Sequence, residues 1–397
     1  MKGLTSNQKD SVLNSMAELV ASEKAAILKA NKIDLDSYSG KDIAMYDRLK
    51  VDEAKVDGMI KSLQQLIVAI DPIGKELYNF THENGLKMTN KTAPFGTVLI
   101  IYESRPDVTV EAAGIAFKSG NKILLKGGKE SLNSNLKIVE LWHKALSENN
   151  ISTNWVGYLN YNRTETQEFL AKPTQKVDLV VPRGGEKLIA FVKQNATCPV
   201  IVSGRGNNFV YVDTEADLEL ALKVIINAKA SKISACNALD KVLINSNLSK
   251  KEVFIKSLIN KLLEHKVEIL GDAELSKFEN VSAFNDEAIW FEEFLDYKIV
   301  LGFVDSLDGA ITKINKYAGG HSAVIITKNN ETANIFMESV DSAAVYQNAS
   351  TRFTDGGQFG LGGELAISTD KLHHRGPMGL QHLVTNKWYI YGNGQIR

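Results

Sequence analysis

Of the two cysteines in the chain, one stands in the run ISACNALDKVLI, Ile233 to Ile244. It follows a helix-patterned stretch and precedes an apolar run of strand length. A thiolate at such a junction can attack an acyl or carbonyl carbon if its surroundings favour the anion. Asn237 and the neighbouring backbone N–H groups are donors of the kind that hold an oxyanion. Cys236 and Asn237 are therefore the catalytic candidates. The alternative is burial as a small apolar side chain. Cys198, in NATCPVIV, runs into an apolar strand and reads that way.

Four other segments place charge or glycine where a ligand could meet them. LLKGGKES carries Lys126, Gly127, Gly128 and Lys129 after a strand, with Ser131 placed to cap the next helix. Nucleotides lie beyond the carboxyl ends of parallel strands, although a plain strand–turn–helix with solvated lysines fits as well. VVPRGGEKLI repeats the pattern with Arg183, Gly184 and Gly185, and its helix start offers free N–H groups to an anion. Two such junctions in one domain point to a dinucleotide. In IYESRPDVTVEAAG, Pro106 is set to open a helix with Arg105 at its mouth. That arginine suits a phosphate or carboxylate, or is an ordinary surface residue. The glycine-dense stretch from Asn348 to Gly379 carries Arg352, Asp355, Glu364 and Arg375. So long a connector suggests a loop folded over a ligand.

The elements that must position these residues follow from periodicity. Leu13, Met16, Leu19, Val20, Ile27 and Leu28 recur at helical spacing, as does Met59 to Ile70. Asn84-Gly85 marks a hairpin. From Thr97, short apolar strands alternate with amphipathic helices, and the alternation resumes after Cys236. This predicts two α/β domains with parallel sheets covered on both faces. The hairpin and the terminal run WYIY are left over, to pair with each other or with another subunit.

Composition narrows the class. The chain has 397 residues, 44% hydrophobic and 23% charged, with a formal net charge of −1. That is an ordinary globular balance and makes no electrostatic case for nucleic acid or a membrane. No apolar run reaches membrane-span length. The first residues lack the apolar stretch of a secretory signal, and two cysteines cannot form a disulfide framework. A cytoplasmic location is expected. The seven histidines show no zinc-site spacing, so no metal is expected.

Taken together, APFGTVLIIYESRPDVTVEAAGIAFKSGNKILLKGGKES, DLVVPRGGEKLI, ACNALDKVLI and VDSAAVYQNASTRFTDGGQFGLGGELAISTDKLHHRGPMG resemble the glutamate-5-semialdehyde dehydrogenase family. These are the γ-glutamyl phosphate reductases of the aldehyde dehydrogenase superfamily. The resemblance runs from about Pro72 to Arg397. It implies an aldehyde-dehydrogenase-like α/β fold with an NADP-binding domain over 1–228, whose hairpin at about 76–92 lies in an oligomerisation element. A catalytic domain over 229–365 and a return segment with an oligomerisation strand over 366–397 complete it. It further implies NADPH-dependent reduction of L-glutamyl 5-phosphate to L-glutamate 5-semialdehyde through a thioester on Cys236, the second step of proline biosynthesis. Lys126 to Lys129 and Arg183 to Gly185 would meet the cofactor, and Arg105 or Arg352 the substrate phosphate. A homo-oligomer and functional pairing with glutamate 5-kinase are implied as well. Relatives that hydrolyse the thioester carry a general-base glutamate where Val202 and Ser203 stand, which favours exchange with phosphate. Lys232-Ile233 stands where the family has Arg-Pro before the cysteine.

Overall fold

The continuous apolar runs become two parallel sheets in the computed structural model, which describes residues 3–40 and 43–397. The chain divides into two compact units. One comprises Met1–Val202, Gly360–Ala366 and Met378–Arg397, the other Ser203–Phe359 and Ile367–Pro377.

The first unit begins with helices α1 (Ser6–Ser22), α2 (Lys24–Ser37), α3 (Ile43–Leu49) and α4 (Glu53–Val68). Thr5 starts α1 with a capping box: its hydroxyl accepts from Gln8 N, and its own N–H donates to Gln8 Oε1 at 3.0 Å. Val12, Leu13, Met16 and Val20 of α1 and Val56, Met59 and Leu63 of α4 are fully buried, which is why both apolar stripes exist. A hairpin of β1 (Glu76–Thr81) and β2 (Lys87–Pro94) follows, its turn passing through Gly85 at φ 83°. Then come β3 (Thr97–Tyr102), α5 (Val108–Lys118), β4 (Lys122–Lys126), α6 (Leu132–Glu148), β5 (Val156–Tyr158), α7 (Arg163–Ala171), β6 (Leu179–Arg183) and α8 (Glu186–Asn195). Strand order is β5-β4-β3-β6, all parallel. The chain steps from β3 to one side and later returns to its other side. The carboxyl ends of β3 and β6 therefore flank the topological switch point.

Two helix starts differ from expectation. Ser131 occupies the position before α6 but makes no side-chain cap; its hydroxyl donates to Gly128 O at 3.2 Å. The cap comes from buried Asp34 at the end of α2, whose carboxylate accepts from Asn133 N at 3.0 Å and Ser134 N at 2.8 Å. A carboxylate there also suits the helix dipole. Pro106 does not open α5 directly, because a turn with Val108 N on Arg105 O at 3.1 Å comes first and Asp107 holds the cap position.

The second unit contains β7 (Asn208–Val212), α9 (Leu218–Ala230), β8 (Leu239–Asn245), α10 (Lys251–Glu264), β9 (Glu268–Gly271), β10 (Ser282–Ala283), β11 (Lys298–Val304), α11 (Leu307–Tyr317), β12 (Ser322–Ile326), α12 (Asn330–Ser339) and β13 (Ala344–Gln347). The order is β10-β9-β11-β8-β7-β12-β13, with every pair parallel. Both faces are covered: Val242 and Ile244 pack with Val224, Ile225 and Leu258, and Leu243 packs with Phe209, Ile314 and Phe336. This unit starts at Ser203, whereas the sequence reading drew its boundary at 228/229. The reason is β7, which hydrogen-bonds to β8 and β12 and brings α9 with it. Alternation continues unbroken through this point, so nothing in the residue pattern marks the change of sheet.

The glycine-dense stretch includes two short strands, β14 (Ala366–Ser368) and β15 (Gly376–Met378). The last strand, β16 (Val384–Tyr391), pairs antiparallel with β2, Trp388 opposite Asn90. The leftover hairpin and terminal strand thus pair with each other, in the order β1-β2-β16. No helix among the described residues is long and apolar enough to cross a membrane.

Candidate active site

Cys236 lies in the turn between α9 and β8, and it is exposed. Its carbonyl is held by Asn208, whose Nδ2 donates to Cys236 O at 2.8 Å and to Ala238 O at 2.7 Å. Gly206 packs directly beneath: a Cβ there would stand 2.0 Å from Cys236 O and 2.6 Å from a carboxylate oxygen of Glu293. Only a residue without a side chain allows that approach. Cys198 is half-buried, and burial pushes its thiol up. Cys236 is thus the accessible thiol of the two.

The turn grips the segment that carries Arg352. Asn237 is buried, and its Nδ2 donates to Thr354 O at 2.9 Å and to Arg352 O at 3.3 Å. Thr351 Oγ1 donates back to Asn237 O at 2.7 Å. The amide hydrogens of Asn237 are thereby engaged in holding backbone. Arg352 Nε donates to Ser231 Oγ at 3.1 Å, while its Nη1 is buried without a hydrogen-bond partner. Burial pulls the guanidinium below its ordinary pKa, and the charges of Cys236 and Asp355 act against that.

A second segment, missed by sequence reasoning, borders the same turn. Asn207 Nδ2 donates to Trp290 O at 2.6 Å, Arg205 Nη1 to Phe291 O at 3.1 Å and Lys241 Nζ to Glu292 O at 2.7 Å. Phe294 N donates to Asp240 Oδ2 at 3.1 Å, and Asp240 also pairs with Lys229 at 3.0 Å. Burial brings Lys241 down to about 7. With four neighbouring backbone groups tied, Glu293 is presented beside Gly206. In the sequence FEEFLD it looks like part of an exposed acidic run, and no pattern singles it out.

The remaining candidates belong to the first unit. Arg105 pairs with Asp107 at 3.0 Å after β3. Arg183, ending β6, stands 3.9 Å from Glu364. Glu111 of α5 belongs to the same group: burial raises it to about 7, Asp107 adds to this, and Arg105 and Arg183 oppose it. Gly184 is close-packed, since a Cβ would meet Glu103 at 2.7 Å, while Gly185 has open space on that side. The N–H of Gly185 is already engaged by Glu103 Oε2 at 3.1 Å, so the junction does not offer that amide to an anion. After β4, Lys126 Nζ donates to Gly127 O at 2.9 Å, and burial lowers its pKa. Gly127 is required by packing against Asn135, 2.1 Å from its missing Cβ. Gly128 adjoins the backbone of Glu103 and Ser104, and Lys129 is exposed. The structure thus brings Cys236, Asn237 and Arg352 together in one unit. It gathers the strand-end candidates at adjacent carboxyl ends in the other. Among the described residues no group of three or more His, Cys, Asp or Glu could hold a metal ion.

The aldehyde dehydrogenase family model matches residues 1–276. The γ-glutamyl phosphate reductase of Clostridium perfringens is 44% identical over 395 residues, covering 99% of this chain and 95% of the relative. That of Dictyoglomus thermophilum is 41% identical over 396 residues, with 99% and 95% covered. The crystal structure of the Thermotoga maritima γ-glutamyl phosphate reductase is similar at a TM-score of 0.94 and 40% identity, covering 99% of this chain and 95% of that one. An acetylating aldehyde dehydrogenase of Geobacillus thermoglucosidasius, at 14% identity and a TM-score of 0.71, shares the fold.

Gly206→Ala tests the packing beneath the nucleophile. A methyl group 2.0 Å from Cys236 O forces the turn to move. The expected cost is about 1–3 kcal/mol in urea unfolding, with a loss of turnover larger than the loss of folded protein. Wild-type stability and turnover in this variant would contradict the close contact.

Proposed function

The chain belongs to the aldehyde dehydrogenase family, and we propose that it reduces L-glutamyl 5-phosphate to L-glutamate 5-semialdehyde and phosphate with NADPH, through a thioester on Cys236. The observation that carries this reading is near-complete coverage by γ-glutamyl phosphate reductases at 40–44% identity, together with an exposed cysteine set beside a half-buried arginine.

Cys236 Sγ attacks the acyl carbon as the thiolate. The oxyanion formed is held by backbone N–H groups of the turn, the Asn237 side chain being committed to Arg352 O and Thr354 O. Asn237 therefore acts by positioning. The carbon–oxygen bond breaks, phosphate leaves with the electron pair, and a thioester remains. Arg105 is the first candidate for the phosphate and Arg352 the second. NADPH, when bound, would supply the hydride that takes the acyl group to the aldehyde level, and the carbon–sulfur bond then breaks, releasing the aldehyde and returning Cys236 as the thiolate. The residues at the ends of β3, β4 and β6 fit such a cofactor: Gly185 leaves room for close approach, and exposed Lys129 suits a 2′-phosphate. With Val202 and Ser203 where hydrolytic relatives carry glutamate, the thioester awaits phosphate rather than water. Two reduced thiols fit the cytoplasm. Leu77, Tyr78, Phe80, Trp388, Ile390 and Tyr391 are exposed on the β1-β2-β16 sheet, which supports a role for it as the arm of a homo-oligomer.

The reaction is tested by NADPH oxidation at 340 nm, with the labile acyl phosphate made in situ by glutamate 5-kinase and ATP. Cys236→Ala should abolish turnover and Cys198→Ala should retain most of it. In the reverse direction, NADP reduction by glutamate semialdehyde should depend on added phosphate. Sustained phosphate-free turnover would mean that a carboxylate such as Glu293 activates water, and the chain would be a hydrolytic aldehyde dehydrogenase.

Because Lys129 is exposed, Lys129→Glu should weaken NADPH by up to about 1 kcal/mol and leave NADH little changed, as measured by KM for each. Equal losses would remove Lys129 from 2′-phosphate recognition. For assembly, light scattering of a chain ending at Gln381 should show monomers or aggregates. A truncated protein of unchanged oligomeric mass would exclude β16 from the arm.

A further inference from the structure

Reactive cysteines commonly sit at helix N-termini, where the dipole favours the anion. Cys236 has no such position: α9 ends at Ala230 and the next element, β8, begins at Leu239. Its thiolate therefore needs a cation from elsewhere. Several charged groups face the turn. Lys232 on the turn is exposed to solvent and screened. Arg205, from the segment before β7, donates to Phe291 O. Lys229 is buried and paired with Asp240. Lys241 is buried between Glu292 O and the Phe294 ring, 3.9 Å from its centroid. Glu293 beside Gly206 and Asp355 beside Arg352 are anions and work against a thiolate. That leaves Arg352, and the turn fixes it at both ends. Asn237 and Thr351 pin its backbone, and Ser231 Oγ accepts from Nε at 3.1 Å, leaving Nη1 buried without a protein hydrogen-bond partner.

We propose that Ser231 is a positioning residue for this reaction: its hydroxyl holds the Arg352 guanidinium toward Cys236, so that the thiol has lost its proton to solvent before substrate arrives. The inference rests on Cys236 being the nucleophile. Arg352 is then the counter-ion of the resting thiolate. It turns to the departing phosphate as the sulfur becomes a neutral thioester.

The test is the rate of iodoacetamide alkylation at Cys236 between pH 5 and pH 10, followed by mass spectrometry of the full chain in a Cys198→Ala background. Only the thiolate displaces iodide, so the profile reads its ionisation. Arg352→Gln should slow alkylation at pH 7 by about tenfold or more. Ser231→Ala should slow it by about threefold, and Ser231→Thr should match the wild type. All four should converge at pH 10, where every form is ionised; slowing at all pH values would indicate a merely structural role and overturn the proposal. Ser231 is exposed, so its variants fold even if Arg352→Gln does not. Unchanged profiles in Ser231→Ala overturn the positioning role while leaving the reaction standing. Turnover surviving in Cys236→Ala removes the reaction itself.

Discussion

The carbonyl of Cys236 is the fixed point of the second unit. Asn208 donates to it from the start of β7, and Gly206 approaches it so closely that no side chain fits between. Two other glycines continue the arrangement: a Cβ on Gly204 would stand 2.3 Å from Gly319 O, and one on Gly319 would stand 1.9 Å from Arg205 O. Backbone packed on backbone leaves few ways to move. The thiol, the Arg352 segment and the Glu293 segment are all referred to this one stack. Preorganisation of this kind is what lets a site hold charge without reorganising during the reaction.

Around that stack the protein tolerates costly groups. Lys229, Asp240 and Lys241 are nearly inaccessible to solvent. Burying an ion pair often gives no net stabilisation. Here each member also ties down backbone or a ring: Asp240 takes Phe294 N, Lys241 takes Glu292 O, and both lysines lie over the Phe294 ring. The return is a defined path for residues 290–294, which the short apolar elements there could not specify alone. In the first unit a comparable concentration of charge, Arg105, Asp107, Glu111, Arg183 and Glu364, lies at and beside the switch point of the sheet. Burial keeps Glu111 partly protonated near neutral pH, so that group is less anionic than its formula suggests.

Much of this was readable in the residues. Parallel strands such as Thr97–Tyr102 declare themselves by apolar continuity, because both faces are covered, whereas Leu239–Asn245 shows it only over Val242 to Ile244. The hairpin at Gly85 needs a positive φ, and glycine supplies it. Cys236 was legible as a candidate because it stands at a helix–strand junction; that it is exposed came from the structure. The motifs around it add family-specific detail.

What only the tertiary structure decided concerns partners distant in sequence. Asp34 caps a helix that begins 98 residues later, since helix termini take whatever acceptor packs against them. Glu103 occupies the amide of Gly185. Strand β7 joins the second sheet, although its sequence continues the rhythm of the first. Asn237, read as an oxyanion donor, spends its hydrogens on the backbone of residues 352 and 354. Periodicity records which face of an element is buried. It carries no record of which polar group meets which, because hydrogen-bond partners are chosen by packing in space.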